Sequence, residues 1–291
     1  MPPGGTIGVM APAGPCPQEA LDAGVAWLRA RGYQVVLAPN VRSRLGYLAG
    51  TDRERRDGIA WLLDRGVHAL IAARGGYGVM RVLQEMPWDR LAAWRGWVAG
   101  FSDVTALHAA LSTRGAPATL HGPMIASLAR DARGGESLLA WISGCGDAEL
   151  FRFGRRSVLR PGVARGVSAG GTLSILAALA GTPFEPAYDG CVLFLEDVGE
   201  PLYRLDRLLT QLRLSSRLGR ATAVILGRLS RCGRGEASWR DRWRELVLEA
   251  APGAVVVEGL PFGHGGPNVA FPLGVEVEVD THRGVISWGG G

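Results

Sequence analysis

The first half of this chain alternates short, almost unbroken apolar runs with amphipathic segments, and few folds accept that order. The runs are Thr6-Ile7-Gly8-Val9-Met10-Ala11, Val35-Val36-Leu37-Ala38, Ala69-Leu70-Ile71-Ala72-Ala73 and Trp97-Val98-Ala99-Gly100-Phe101. A strand with one face in water alternates apolar and polar residues, whereas one covered on both faces reads as solid apolar sequence. The intervening segments have helical spacing. Pro17 opens one that carries Leu21, Val25 and Leu28 on a single face and stops at Gly32. Thr51 or Asp52 caps the next, which carries Ile59, Leu62 and Leu63. Strands that each need two covers, delivered in strand–helix order, specify an α/β fold. The expected architecture is a Rossmann-like or flavodoxin-like, doubly wound parallel sheet with its site at the C-terminal strand ends.

This rhythm breaks between Ser143 and Arg165, a stretch rich in glycine and arginine. It is read as a linker. The expected organisation is an N-terminal Rossmann-like domain over residues 1–143, a linker over 144–165, and a smaller C-terminal α/β domain over 166–291. The second half predicts helices at Leu173 to Leu179, Tyr203 to Leu212 and around Trp243. It predicts strands at Val192 to Leu195, Ala223 to Leu226, Ala254 to Val257 and Val275 to Val279. A chain of 291 residues is long enough for two such cores.

Composition excludes several classes. All 32 basic residues are arginine and the formal net charge is +5. The short arginine clusters, Arg53-Glu54-Arg55-Arg56 and Arg240-Asp241-Arg242-Trp243-Arg244, are interleaved with acids, without the dense basic stripe of a nucleic-acid protein. Cys16, Cys145, Cys191 and Cys232 form no CxxC pair and no zinc spacing with histidine, so free thiols in a reducing compartment and no metal are expected. The start, Met1-Pro2-Pro3-Gly4-Gly5-Thr6, lacks a basic region followed by an apolar one, so no signal peptide is read there. The longest uncharged run, Gly166 to Phe184, is solidly apolar only from Leu173 to Ala180, which fits a buried helix better than a membrane span. The expectation is a cytoplasmic protein with neither membrane nor nucleic acid as partner.

Three loops carry residues that could do chemistry. Arg74-Gly75-Gly76-Tyr77-Gly78 follows the third strand; it is either a plain strand-to-helix turn or a loop whose amides face an anion. Ser102 follows the fourth strand, in Gly100-Phe101-Ser102-Asp103-Val104-Thr105-Ala106-Leu107-His108. It could be a helix N-cap, or a nucleophile lifted into solvent with the next amide beside it. Glu196 ends the run Phe194-Leu195-Glu196-Asp197 and could orient an imidazole or form a strand-end salt bridge. Among five histidines, His68, His108 and His282 read as structural, core and turn residues. His121 opens His121-Gly122-Pro123-Met124, and His264 lies in Pro261-Phe262-Gly263-His264-Gly265-Gly266-Pro267-Asn268, too rich in glycine and proline for a core element.

In order along the chain, these segments resemble the LD-carboxypeptidase family of serine peptidases, the muramoyltetrapeptide carboxypeptidases. The carriers are Arg74 to Gly78, Gly100 to His108, His121-Gly122-Pro123, Gly181-Thr182-Pro183, Leu193 to Asp197 with Tyr203-Arg204-Leu205-Asp206-Arg207, and Gly263-His264 with Asn268 and Pro272-Leu273-Gly274. The resemblance implies a triad of Ser102, Glu196 and His264. It places the serine on the N-terminal domain, the acid and base on the C-terminal one, and the active site between them. It also implies a homodimer. One departure is Gly170-Gly171-Thr172-Leu173, where the family has Gly-Gly-Asn-Leu; the triad is untouched, and the change bears on local hydrogen bonding at the domain interface.

The implied reaction is hydrolysis of the L-diamino acid–D-alanine bond of a cytoplasmic murein tetrapeptide during wall recycling, with no cofactor. Ser102 attacks, His264 shuttles the proton and Glu196 fixes the imidazole. Amides of Asp103 and of Gly75 and Gly76 hold the oxyanion, and Arg74 is the candidate anchor for the terminal carboxylate. An alternative is an immunity-type member of the same family that cleaves peptide–nucleotide conjugates. The 94 residues from Ser102 to Glu196 are short for that branch. A remoter alternative is a non-catalytic nucleotide- or sugar-binding module, against which Gly75-Gly76-Tyr77-Gly78 lacks the G-x-G-x-x-G fingerprint.

Overall fold

The computed structural model describes residues 4–215, 218–235 and 237–289; Met1-Pro2-Pro3, on which the reading of the N-terminus rests in part, lies outside them. The chain divides into two compact units. The first comprises Met1–Gly146 and Pro267–Phe271; the second comprises Asp147–Gly266 and Pro272–Gly291.

The first unit contains β1 (Thr6–Met10), α1 (Gln18–Arg29), β2 (Gln34–Leu37), α2 (Asp52–Leu63), β3 (Ala69–Ala72), α3 (Val79–Val82), α4 (Trp88–Ala93) and β4 (Trp97–Gly100). It continues with α5 (Thr105–Ser112), β5 (Thr119–His121), α6 (Ile125–Leu128) and α7 (Ala132–Ser143). β1 pairs in parallel with both β2 and β3, β3 with β4, and β4 with β5. Because β1 lies between β2 and β3, the chain winds first to one side and then to the other, and the loops after β1 and β3 flank the switch point. β3 is buried along its whole length, as its solid apolar sequence requires. α1 buries Leu21, Gly24, Val25 and Leu28, the stripe its spacing predicts. Thr51 is the cap of α2: its hydroxyl accepts from the Glu54 amide and Glu54 reaches back to the Thr51 amide, a complete capping box.

The second unit contains β6 (Glu149–Arg152), β7 (Val158–Arg160), β8 (Val163–Thr172), α8 (Leu173–Leu179), β9 (Val192–Val198), α9 (Leu202–Ser215), β10 (Ala223–Ser230), α10 (Trp239–Ala250) and β11 (Val255–Val257). After β12 (Phe271–Leu273), which joins the edge of the first sheet, come β13 (Glu276–Asp280) and β14 (Val285–Trp288). The second sheet runs β6-β14-β13-β8-β9-β10-β11-β7. Its centre, β8 to β11, is parallel, and its flanks are antiparallel. Leucines of α8, α9 and α10 cover the parallel strands. No helix among the described residues is long and apolar enough to cross a membrane.

The stretch 144–165, read as a linker, supplies β6, β7 and the start of β8. Its arginines suit strand edges. Arg160 on β7 donates to the carbonyls of Leu248, Ala251 and Ala254, at the C-terminal end of α10 where carbonyls lack helical partners.

Gly24 shows how tightly α1 and α6 approach. A Cβ there would stand 2.1 Å from the Ile125 carbonyl oxygen. Helix propensity alone favours Gly→Ala by about 1 kcal/mol. Here the sign reverses: Gly24→Ala is expected to destabilise by about 1–3 kcal/mol through overpacking against a backbone atom. Urea denaturation checks this, and an unchanged or raised midpoint would refute it.

Candidate active site

Ser102 is the first residue after Phe101 and β4, and it has φ 61. A residue with a Cβ in the left-handed region is strained by about 1–3 kcal/mol, so the surroundings must hold it there. It is not the N-cap of either following helix: Phe101 caps the 3₁₀ turn Ser102–Val104, and Val104 precedes α5. Gly75 lies against its side chain. A Cβ at position 75 would stand 2.9 Å from Ser102 Cβ and 3.0 Å from Oγ, so only glycine leaves the hydroxyl its space. The glycine loop is pinned in turn by the loop after β1, where the Gly14 amide donates to the Gly75 carbonyl at 3.1 Å. Asp103 turns the other way. It is buried and accepts from the Val79 amide at 2.9 Å, fixing the start of α3 to the serine turn.

Glu196 and His264 meet inside the second unit. Thr172 and Glu196 are register partners on parallel β8 and β9, so their side chains share a face, and the Thr172 hydroxyl donates to Glu196 Oε1. Glu196 Oε2 accepts twice from His264: from the backbone amide at 3.0 Å and from Nδ1 at 2.7 Å. A carboxylate oxygen has no hydrogen to give, so Nδ1 carries it and Nε2 is left as the basic nitrogen. Glu196 is fully buried, while the His264 side chain is 20% exposed. This approach depends on Gly263, at φ 90, where a Cβ would stand 2.5 Å from Glu196 Oε2. The Ser230 hydroxyl, at the end of β10, donates to the His264 carbonyl and anchors the loop from the other side.

A strained serine after a buried parallel strand in the first unit, and a carboxylate-held imidazole in the second, are each arrangements that hydrolytic enzymes use. Residues 7–122 match the LD-carboxypeptidase N-terminal domain, and residues 165–279 match the LD-carboxypeptidase C-terminal domain. The chain belongs to the LD-carboxypeptidase family. It is 41% identical to a putative carboxypeptidase of Streptomyces coelicolor, over 98% of this chain and 93% of that one. It is 33% identical to the murein tetrapeptide carboxypeptidase of Pseudomonas aeruginosa, over 96% of this chain and 94% of that one. The crystal structure of muramoyltetrapeptide carboxypeptidase from Oxalobacter formigenes superposes with a TM-score of 0.84 at 31% identity, covering 97% of each chain.

In this member of the family, His121, His108 and His68 have structural surroundings. His121 is fully buried, stacked on Phe271 at 5.0 Å between ring centroids and tilted against Phe101 at 5.9 Å. Burial pulls His108 down to about 4, and its Nε2 bonds the Gly100 carbonyl at 3.0 Å, so the ring is neutral there. His68 Nδ1 accepts from the Thr6 amide. Arg74 donates to the Pro15 carbonyl at 3.0 Å. It lines a cleft of about 670 Å³ with Arg44, Tyr47, Tyr77, Gly14 and Gly76. Sequence reading missed Arg55, which is fully buried on α2 and donates to the carbonyls of Pro12 and, at 2.7 Å, of Gly78, tying the loop after β1 to the end of the glycine loop. It also missed Asn40, whose amide bonds the carbonyls of Ala11 and Ala49.

Asp197 follows Glu196 and, by the two-residue period of a strand, faces the other way. There it accepts from the Ser174 and Val198 amides and the Ser174 hydroxyl. Burial, aided by the charge of Glu196 and opposed by those donors, pushes its carboxyl up to about 6. The folded chain therefore binds a proton at Asp197 between about pH 4 and 6, where the unfolded chain does not. This contribution favours folding at the low end of that window and is lost as pH rises through about 6. The stability difference between wild type and Asp197→Asn is thus expected to move in favour of wild type as pH falls from 7.5 to 4.5. Chemical denaturation at stepped pH measures it, and a difference flat in pH would rule the proton out.

Proposed function

We propose that this chain is a serine-type LD-carboxypeptidase that removes terminal D-alanine from cytoplasmic murein tetrapeptides in wall recycling. The observation that carries the reading is the buried Glu196 carboxylate holding His264 by Nδ1 at 2.7 Å, which presets the tautomer a general base needs. Murein tetrapeptide cleavage in relatives a third identical to this chain supports the substrate.

In this mechanism Ser102 Oγ attacks the carbonyl of the L-diamino acid as His264 Nε2 takes its proton. The C–O bond forms and the carbonyl oxygen becomes an oxyanion, which accepts hydrogen bonds from the amides of Asp103 and of the Gly75-Gly76 loop. One such donor contributes about 3–4 kcal/mol to the transition state. Collapse breaks the C–N bond, and His264 returns the proton to the departing D-alanine amine. Water then releases the acyl group by the same proton path. Arg74, with Arg44 in the same cleft, offers the planar fork that a free terminal carboxylate requires.

His264→Ala is expected to lower kcat by on the order of 10⁴-fold or more. Ser102→Ala should abolish covalent labelling by a fluorophosphonate probe, whereas His282→Ala should change neither. A nearly active His264→Ala enzyme would remove His264 from the role of base.

Stereochemistry separates this activity from an ordinary carboxypeptidase. With the carboxylate anchored and the carbonyl held by its oxyanion donors, inverting the terminal α-carbon sends its methyl group into the space of its hydrogen. A misplacement of the carbonyl by about 1 Å costs on the order of a hundredfold in rate. The tetrapeptide ending in D-alanine is expected to be cleaved at least about a hundred times faster, in kcat/KM, than its L-alanine diastereomer. Equal values would sink the substrate assignment. Cleavage of a peptide–nucleotide conjugate in preference to both would instead favour the immunity-type activity.

A further inference from the structure

Beyond Glu196, the carboxyl ends of the second unit's parallel strands carry a pocket that the proposed chemistry does not use. It has a volume of about 320 Å³ and lies where β10 and β11 end and α10 begins. That edge of a parallel sheet is where α/β domains bind ligands. Arg228, Arg231 and Arg240 all line it, beside Trp239. The carboxylate in its wall, Glu258, is held by Arg244 at 2.6 Å. Among the described residues, none of the three lining arginines is paired with a carboxylate. Arg228 Nε is buried with no hydrogen-bond partner. Arg231 is held in the left-handed region at φ 58, and Arg240 lies over the Trp239 ring at 4.9 Å.

Two further features give the pocket a sign and a place. Trp239 and Arg240, in the first turn of α10, line it, and the one acidic residue of that turn, Asp241, is held by Arg244 at 2.8 Å. The pocket also adjoins the base. Ser230 in its wall holds the His264 carbonyl, and a Cβ on Gly265 would lie 4.0 Å from Arg228 Cδ. Three arginines lining one concave site attract an anion, and a guanidinium can hold a carboxylate by paired N–H bonds.

We propose that this arginine pocket binds the carboxylates of the substrate peptide on the N-terminal side of the scissile bond, and so selects peptides in which they are free rather than amidated. The inference rests on the murein-peptide reading: such a peptide carries a second carboxylate on diaminopimelate and a free α-carboxylate on the γ-linked D-glutamate. The arginines then act in specificity, separate from the anchor for terminal D-alanine.

The test uses two synthetic tetrapeptides with the same scissile bond, one with both upstream carboxylates free and one with both amidated. The wild-type enzyme is expected to favour the free form at least about tenfold in kcat/KM, through KM rather than kcat, which is the signature of uniform binding. Arg228→Gln should bring the two peptides to within about twofold. Arg240→Gln, an exposed residue in the first turn of α10, should narrow the gap without risk to folding. A merely structural role for either arginine would lower activity on both peptides alike and leave their ratio intact. A wild type that does not discriminate, or a preference that survives both substitutions, overturns the proposal. Calorimetry with the two tripeptide products decides the pocket independently of turnover. If neither tetrapeptide is cleaved, the murein activity fails, while tighter binding of the free tripeptide to wild type than to Arg228→Gln upholds the pocket and equal binding refutes it.

Discussion

The second unit is organised around one buried negative charge. Glu196 has no contact with solvent, and a carboxylate removed from water must have its lone pairs occupied by protein donors or it will take a proton. Thr172 serves one oxygen, and His264 serves the other twice. The surrounding backbone bends to make this possible. Gly170 and Gly171 adopt φ 129 and 136 at the end of β8, and a Cβ at 170 would stand 2.0 Å from the Phe194 carbonyl oxygen. Gly263 brings the histidine loop equally close. The parallel register that sets Thr172 opposite Glu196 is thus a condition of the site as well as of the sheet.

The first unit solves a different problem, which is to keep a strained residue strained. Ser102 stays in the left-handed region because its neighbours leave no room to relax. Gly75 is against its side chain, Asp103 is tied to the start of α3, and Gly100 is so close to Val104 that a Cβ would stand 2.9 Å from it. The glycine loop is itself fastened by Gly14 and Arg55. Each strand end at the switch point therefore holds its neighbour, and the serine turn takes its rigidity from loops that contribute no reactive group.

Much of this was legible in the sequence because the physics is local. Short solid apolar runs fit doubly covered strands, and β1, β3 and β4 lie where such runs fall, while β2, from the run Val35 to Ala38, is a partly exposed edge strand. Thr51 or Asp52 read as the cap of α2, and Thr51 takes that place. Glu196 was legible only in part: it read as the residue after a strand, but it lies inside β9, because the pairing with β10 continues to Val198. Arg55 was illegible. Arg53-Glu54-Arg55-Arg56 looks like a solvated helix turn, and nothing local reveals that one of its arginines is fully buried against carbonyls from loops more than twenty residues away. The short strands β6 and β7 were missed for the same reason, since edge strands gain their apolar partners only from the sheet they join.

The short segment Pro267–Phe271 carries a consequence for the ancestry of such chains. It belongs to the first unit although sequence of the second flanks it on both sides, so the chain crosses the boundary three times. Its Asn268 amide bonds Asp131, the Trp141 indole bonds the Ala270 carbonyl, and Phe271 covers His121. Neither unit can be inherited as a continuous piece. A recombination that exchanged one half of the chain at a single crossover near residue 146 would import a foreign strip into the older half's core. Shuffling of halves among relatives is therefore penalised where that segment packs, at His121, Asp131 and Trp141.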